Sequence, residues 1–440
     1  MTTHSKTLEC THSALDLFEP QPLQTSVEQG EWVEYRPLTT IDEGSPIEFF
    51  IRGGDEYLDL SNSYLRIKLK VTKPNGGSMV DDVDDKRVVP TNLLLHSLFS
   101  EVDVHLNSTQ LNSPSGAYPY LAYLQTLLTY STTVKKTQMT AAMFYKDTPD
   151  HFHDLDGEDN SGMIKRKRHI TNSNEVELIG RIHADIFHQP KYLLSHLDLR
   201  IKLNRNKDSF LLLTPKGDDD NRHKEYKVEV LEGGLFIRKI KISPIVSLSH
   251  AKVLEKNNAI YPITKNVLRV FHASTGSYSF QEDNLFLDRI PNKIVVAMVR
   301  SEGFNGSYGL NPFDFLHLNL NFLSLYHQGQ QIPSKGLQPN FQEGRFTREY
   351  MTLFNATNTA WQNESCGLNM KDYSGGYTLY CFDLTPTLTV PSAVLEVQKA
   401  GPIRLEARFA TPLQFPVNVL VYGQFDAHIE ITKTREVVII

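Results

Sequence analysis

The chain has 440 residues, 40% of them apolar and 22% charged, with a formal net charge of −6. Such a length and composition suit two ordinary globular domains, each with its own core, and exclude a disordered chain; the mild acidity argues against a surface devoted to nucleic-acid phosphates. Three cysteines, Cys10, Cys366 and Cys381, are too few and too scattered for a disulfide framework, a zinc site or a redox pair, so a reducing compartment is expected. No segment approaches the roughly 18 consecutive apolar residues of a membrane-spanning helix, and the polar start has no apolar signal core, so a soluble, non-secreted protein is expected. On that reading the Asn-x-Ser/Thr sequons at Asn107, Asn305, Asn355 and Asn363 are chance matches.

Residues 1–27 show little periodicity, and Pro20, Pro22 and Gln24 point to an extended arm whose Leu15, Leu17 and Phe18 are free to dock. From Trp32 the chain turns to short β-prone runs, at 32–35, 47–51 and 64–72, between turns rich in Gly, Pro and Asp. Leu65, Ile67, Leu69 and Val71 alternate with Arg66, Lys68, Lys70 and Thr72, a period of two that predicts one buried and one wet face. A charged loop at 79–87 precedes a unit at 93–111, and Tyr120, Leu121, Tyr123, Leu124, Leu127 and Leu128 predict a helix over 117–130. Residues 145–169 read as a long polar insertion. Strand patterns return at 175–183 and 197–204, where Leu199-Arg200-Ile201-Lys202-Leu203 echoes the earlier alternation. Pro215, Gly217 and Asp218-Asp219-Asp220 mark 215–224 as the linker between domains. Beyond it, strands are expected at 228–242, 267–271, 293–299, 315–326, 377–382, 403–409, 417–422 and 427–432, with a short helix near 246–255 in which Val246, His250, Val253 and Leu254 share a face.

One pattern occurs twice. Leu95-His96, then Val102, Val104, Asn107 and Gln110-Leu111, matches Leu316-His317, then Leu323, Leu325, Gln328 and Gln331-Ile332, at an offset of 221 positions. Gln328-Gly329 supplies a hairpin turn in the second copy. Each half thus offers about seven to nine short strands, and the 10–15-residue helices that a parallel sheet needs between strands are missing. An all-β chain with a few short helices follows, built as two antiparallel sandwiches; the eight-stranded jelly roll is the common solution at this size.

The search for chemistry returns little. Phosphate-loop, dinucleotide-binding, His-Glu-x-x-His and nucleophile-elbow motifs are absent from the sequence. His151 and His153 beside Asp154 and Asp156 can be drawn as a metal site, but a solvated loop is the preferred reading. Asp154, Asp156 and Asp159 brush against a calcium loop that lacks its later ligands. Lys165-Arg166-Lys167-Arg168 is a basic cluster read as surface loop, and His96 and His317 are read as structural histidines on strands. No catalytic, cofactor-binding or metal-ligating residue is assigned, and the chain is not expected to be an enzyme. A carbohydrate-type, non-catalytic binding module is the alternative from composition alone.

A specific resemblance goes further. Trp32-Val33-Glu34-Tyr35-Arg36-Pro37, Ser45-Pro46-Ile47-Glu48-Phe49, Leu94–Ser100, Ala117-Tyr118-Pro119-Tyr120, Lys207-Asp208-Ser209-Phe210, Phe304–Tyr308 with Asn311-Pro312-Phe313, Gly329–Pro333, Leu337–Phe341 and Val421–Asp426 follow one another in an ordered series. The series resembles the major capsid (hexon) proteins of Polinton/Maverick elements and adintoviruses, from about residue 13 to the C-terminus. The resemblance implies a double jelly roll, with an arm at 1–27, a first jelly roll at 28–214, a linker at 215–224 and a second at 225–440. It also implies a homotrimer shaped as a pseudo-hexagonal capsomer, contacts with neighbouring capsomers and with a penton or minor capsid protein, and an icosahedral virion shell around a DNA genome. No cofactor, sequence-specific nucleic-acid contact or membrane span is implied.

Overall fold

The computed structural model describes residues 12–440 except 16, 19, 43, 80–83, 113–114, 156–158, 217–221, 287–288 and 389–398. Its first eight sandwich strands are β1 (Val27–Tyr35), β2 (Ile47–Ile51), β3 (Tyr57–Thr72), β4 (Phe99–Leu106), β5 (Thr109–Gln110), β6 (Val176–Gly180), β7 (Leu199–Arg205) and β8 (Lys227–Ile242). They pair antiparallel into two sheets, ordered β1-β8-β3-β6 and β2-β7-β4-β5. The next eight are β9 (Ala259–Ala273), β10 (Ser279–Glu282), β11 (Lys293–Arg300), β12 (Leu320–His327), β13 (Gln330–Leu337), β14 (Leu379–Asp383), β15 (Ile403–Phe409) and β16 (Val417–Ile431). Their sheets are β9-β16-β11-β14, with Val437–Ile439 added beside β16, and β10-β15-β12-β13. Each strand of the second set stands where the strand numbered eight lower stands in the first. This strand order, repeated, is a double jelly roll, as expected.

The internal repeat is structural. Strands β4 and β5 begin at 99 and 109, β12 and β13 at 320 and 330, the same offset of 221 found in the sequence. Both pairs are hairpins with two-residue turns; Gln328 and Gly329 sit at φ 49° and 79°, the two left-handed positions of a type I′ turn. The histidines that flagged the repeat are not on strands. His96 lies in a one-turn helix, Leu94–Ser97, and His317 in the turn before β12.

The expected linker is corrected by strand pairing. Leu235 pairs with both Tyr35 and Leu65, and β8 lies between β1 and β3 along most of its length. Lys227–Ile242 therefore closes the first sandwich instead of opening the second, and the polar stretch around 215–224 is the connection from β7 to β8. The crossover between sandwiches is the helix Pro244–Leu254. A run of turn residues reports a solvated loop, whichever sheet the following strand joins.

Period-two patterning places the first core. Leu65, Ile67, Leu69 and Val71 are buried against Phe49, Val104, Ile201 and Leu203 of the facing sheet, each such side chain contributing roughly 1.5–3 kcal/mol. On the wet face, Arg66 meets Glu34, Glu177 and Glu232, Lys68 meets Glu175, and Lys70 meets Glu229. The sheet β9-β16-β11-β14 differs because it is buried on both faces. Ile294, Val296, Met298, Val419 and Val421 point into the second sandwich's core. Val295, Ala297, Val299, Leu420 and Tyr422 belong to the core that holds the first sandwich's side chains. That explains the apolar runs 294–299 in β11 and 419–422 in β16.

Candidate functional site

The seam between the sandwiches concentrates what polar and aromatic chemistry the fold buries. It is built by the connections between β5 and β6, which hold the expected helix (Tyr118–Thr129) and a second helix (Ser161–Ile170), and by the segment entering β12. Tyr123 stacks on Phe313 with ring centroids 4.1 Å apart, and Tyr120 on Phe304 at 5.1 Å. Phe152 packs against Tyr377 at 5.1 Å. Such contacts add about 0.5–1.5 kcal/mol each beyond the area they bury.

Beside the rings lies a buried ion pair. Arg166 donates from Nη2 to Asp147 Oδ1 at 2.7 Å, from Nε to Pro90 O at 2.9 Å and from Nη1 to Tyr145 O at 2.7 Å. Both side chains are 0% exposed. Asn92 and Asn311 approach Asp147 Oδ2 at 3.5 Å, and the Tyr377 hydroxyl donates to Asp147 O at 3.0 Å, so both sandwiches contribute to the node. The basic cluster 165–168 is thus not a loop. It lies on a helix whose N-cap, Asn160, accepts from Gly162 and Met163, with Lys165 and Arg168 outward and Arg166 inward.

The other predicted residues separate. His151 Nδ1 meets Asp154 Oδ2 at 2.6 Å, whereas His153 turns away, its Nε2 to Asp314 Oδ2 at 3.2 Å and its Nδ1 accepting from Asn311 N at 3.1 Å. His151 keeps Asp154 and Asp159 within 4.8 Å; Asp156 lies outside the described residues. His317 stacks on Phe341 at 4.2 Å, and burial lowers its pKa. His96 bonds the Tyr118 hydroxyl through Nδ1 at 3.0 Å, and burial drives its pKa down to about 3. Its ring neighbour His183, 4.6 Å away, bonds Gln125 Oε1 at 2.6 Å and is also held well below the usual histidine range by burial.

Sequence reasoning did not single out His183, Asp185, Asn266 or Lys135. Asp185 accepts from Asn266 Nδ2 of β9 at 2.7 Å, and burial raises its pKa to about 7. No local pattern marks such residues, because their partners lie far along the chain. Tyr261 of β9 likewise accepts from Leu194 N and donates to Tyr192 O, both at 3.1 Å.

The outer surface carries apolar groups on sheet edges. β1 is an edge strand exposed over most of its length, and its Trp32 is 54% exposed. Ile260 on edge strand β9 and Phe50 on edge strand β2 are also exposed. In the described part of the arm, Leu15, Leu17, Leu23 and Phe18, the last 93% exposed, have no cover. Edge strands with exposed apolar side chains offer contact sites to another chain.

A chain of two complete jelly rolls fused by a crossover helix belongs structurally with the double jelly-roll proteins. Solved structures of that kind align with it end to end. A chain of the Sputnik virophage covers 99% of this chain and 93% of its own, at 12% identity and a TM-score of 0.65. The mavirus major capsid protein covers 100% and 96% at 10% identity, TM-score 0.54. The Faustovirus major capsid protein covers 95% and 92% at 10% identity, TM-score 0.56. In sequence, an uncharacterized protein of Caenorhabditis elegans is 23% identical over 414 residues, spanning 92% of this chain and 95% of that protein. No family profile matches the sequence. Among the described residues, no helix is long and apolar enough to cross a membrane.

Proposed function

We propose that this chain is a major capsid protein of the Polinton/Maverick and adintovirus kind. Three copies form a pseudo-hexagonal capsomer, and capsomers tile an icosahedral virion shell around a DNA genome, with a penton or minor capsid protein at other positions. The observation that carries the reading is the repeat of one complete eight-strand order in a single chain, aligned over nearly its whole length with capsid chains. Two similar domains per chain give near six-fold contacts from three-fold symmetry when each first sandwich meets the second sandwich of the next chain, head to tail. The exposed edges of β1 and β9 and the arm are the surfaces assigned to those contacts, and no reaction is assigned to the chain. With β8 in the first sandwich, the domains proposed here run 28–242 and 259–440, joined by 243–258.

Light scattering with negative-stain imaging of the same peak tests this. A mass near three times 50.1 kDa with pseudo-hexagonal outlines, or closed shells, supports the capsid reading. A monomer at micromolar concentration in every salt and pH, with no particles, sinks it and favours a jelly-roll binding module. Deleting residues 1–27 is expected to leave trimers and impair shell assembly; normal particles from the truncated chain would remove the arm from the mechanism.

A further inference from the structure

A cavity of about 430 Å³ opens beside the Asp147–Arg166 node, between the helical insert of the first sandwich and residues 366–372 of the second. Four lysines line it: Lys135, Lys136, Lys146 and Lys165. Two acids do as well, and both are already neutralised, Asp147 by Arg166 and Asp372 by Lys146. Lys136 and Lys165 are exposed and make no ion pair with any described residue. Lys135 is only 7% exposed, and the partners of its Nζ are main-chain carbonyls, Leu127 O and Cys366 O at 2.7 Å. An ammonium group held almost dry without a carboxylate is costly unless an anion visits it. Three positive charges at the cavity therefore lack a counter-charge.

Two further features have the same sign and shape. The N-terminus of the ten-residue helix Ser161–Ile170 borders the cavity through Ser161 and Gly162; its first amides are capped by Thr148 and Asn160, so it adds only the positive end of a helix dipole. Leu127, Phe144 and Leu368 add apolar lining. Burial holds the Lys135 pKa down to about 8, with Lys146 adding to the fall; an anion alongside would oppose that fall.

We propose that this cavity binds a small phosphorylated molecule, its phosphates on Lys135, Lys136 and Lys165 and its organic part against Leu127, Phe144 and Leu368. The lysines come from the first sandwich's insert, and Cys366 and Leu368 from the second, so the ligand would tie the two inserts together. A half-open pocket of this size with partly apolar lining suits a small ligand better than a nucleic-acid backbone, which needs a continuous basic groove.

Calorimetric titration of the full-length protein with pyrophosphate and with adenosine diphosphate, at fixed ionic strength, tests the proposal. Saturable binding of one ligand per chain is expected, with the nucleotide at least as tight as pyrophosphate. Lys136→Glu with Lys165→Glu, both on the surface, should weaken binding at least about tenfold, the scale of one lost charge-assisted contact. Lys135→Met should abolish it; if that variant does not fold, the surface pair decides. Heat no larger than that of sodium chloride at equal ionic strength overturns the site, as does unchanged affinity in the surface pair. Tighter pyrophosphate than nucleotide removes the organic part, and duplex DNA that binds with the same lysine dependence and displaces pyrophosphate makes it a nucleic-acid contact.

Discussion

Arg166→Met should be among the most damaging single changes in the chain. Methionine fills much of the volume but removes all three hydrogen bonds donated by the guanidinium, leaving the Asp147 carboxylate fully buried beside two amides at 3.5 Å. Removing one partner of a buried pair costs about 3–5 kcal/mol, because the surviving charge has lost its water and its counter-ion. For a chain of 440 residues, at about 2.1 cal/mol/K of unfolding entropy per residue, this lowers the Tm by roughly 3–6 °C if both sandwiches melt together. Differential scanning calorimetry near pH 7.5 is the assay, with Asp147→Asn/Arg166→Met as its control. The double variant removes the stranded charge and should recover part of the loss. A single variant within about 1 °C of the parent, or a double variant no better than the single, would refute the claim that charge burial sets the cost.

Acid should loosen the seam. His96 and His183 are neutral in the fold, with pKa values below the unfolded histidine's value of about 6.5. The unfolded chain therefore takes up the extra protons, and each histidine removes up to about 1.4 kcal/mol of stability per pH unit as pH falls below that value. Chemical denaturation from pH 7 to 4 should show the loss, and a His96→Gln variant should flatten it; parallel curves would exclude these rings as its source. Asp185 acts in the opposite sense: its folded pKa is raised to about 7, so its contribution is present below the unfolded carboxyl value and lost as pH rises through 7. Asp185→Asn should thus gain on the parent between pH 6 and 8 in thermal melts, and a gap independent of pH would contradict the assignment. Leu420→Ala, on the face of β16 turned to the shared core, should cost about 2–5 kcal/mol in urea unfolding. Ile260→Ala on the exposed edge should cost the monomer little and reduce trimer mass in light scattering; the reverse ranking would mean the two faces of that sheet are misassigned.

The local periods were legible from residues alone. Alternation in β3, β7 and β15 needs only that one face be apolar, and the helix at 118–129 follows from apolar spacing near 3.6; both are decided within a dozen residues. The repeat offset of 221 was also visible, because equivalent strand–turn–strand units place similar demands on sequence. Tertiary structure decided the rest. Whether Lys227–Ile242 joins the sandwich before or after it depends on hydrogen-bond partners up to about 200 residues away, β1 and β3, which no local composition encodes. The apolar runs 294–299 in β11 and 419–422 in β16 do not tell that the two faces serve different cores. The same limit explains the charged groups: in a row of four basic residues, Arg166 alone is buried because Asp147 and two carbonyls meet it, and Lys135 is buried between carbonyls from 127 and 366. A residue's type states what its burial would cost, and only the folded neighbours determine whether that cost is met.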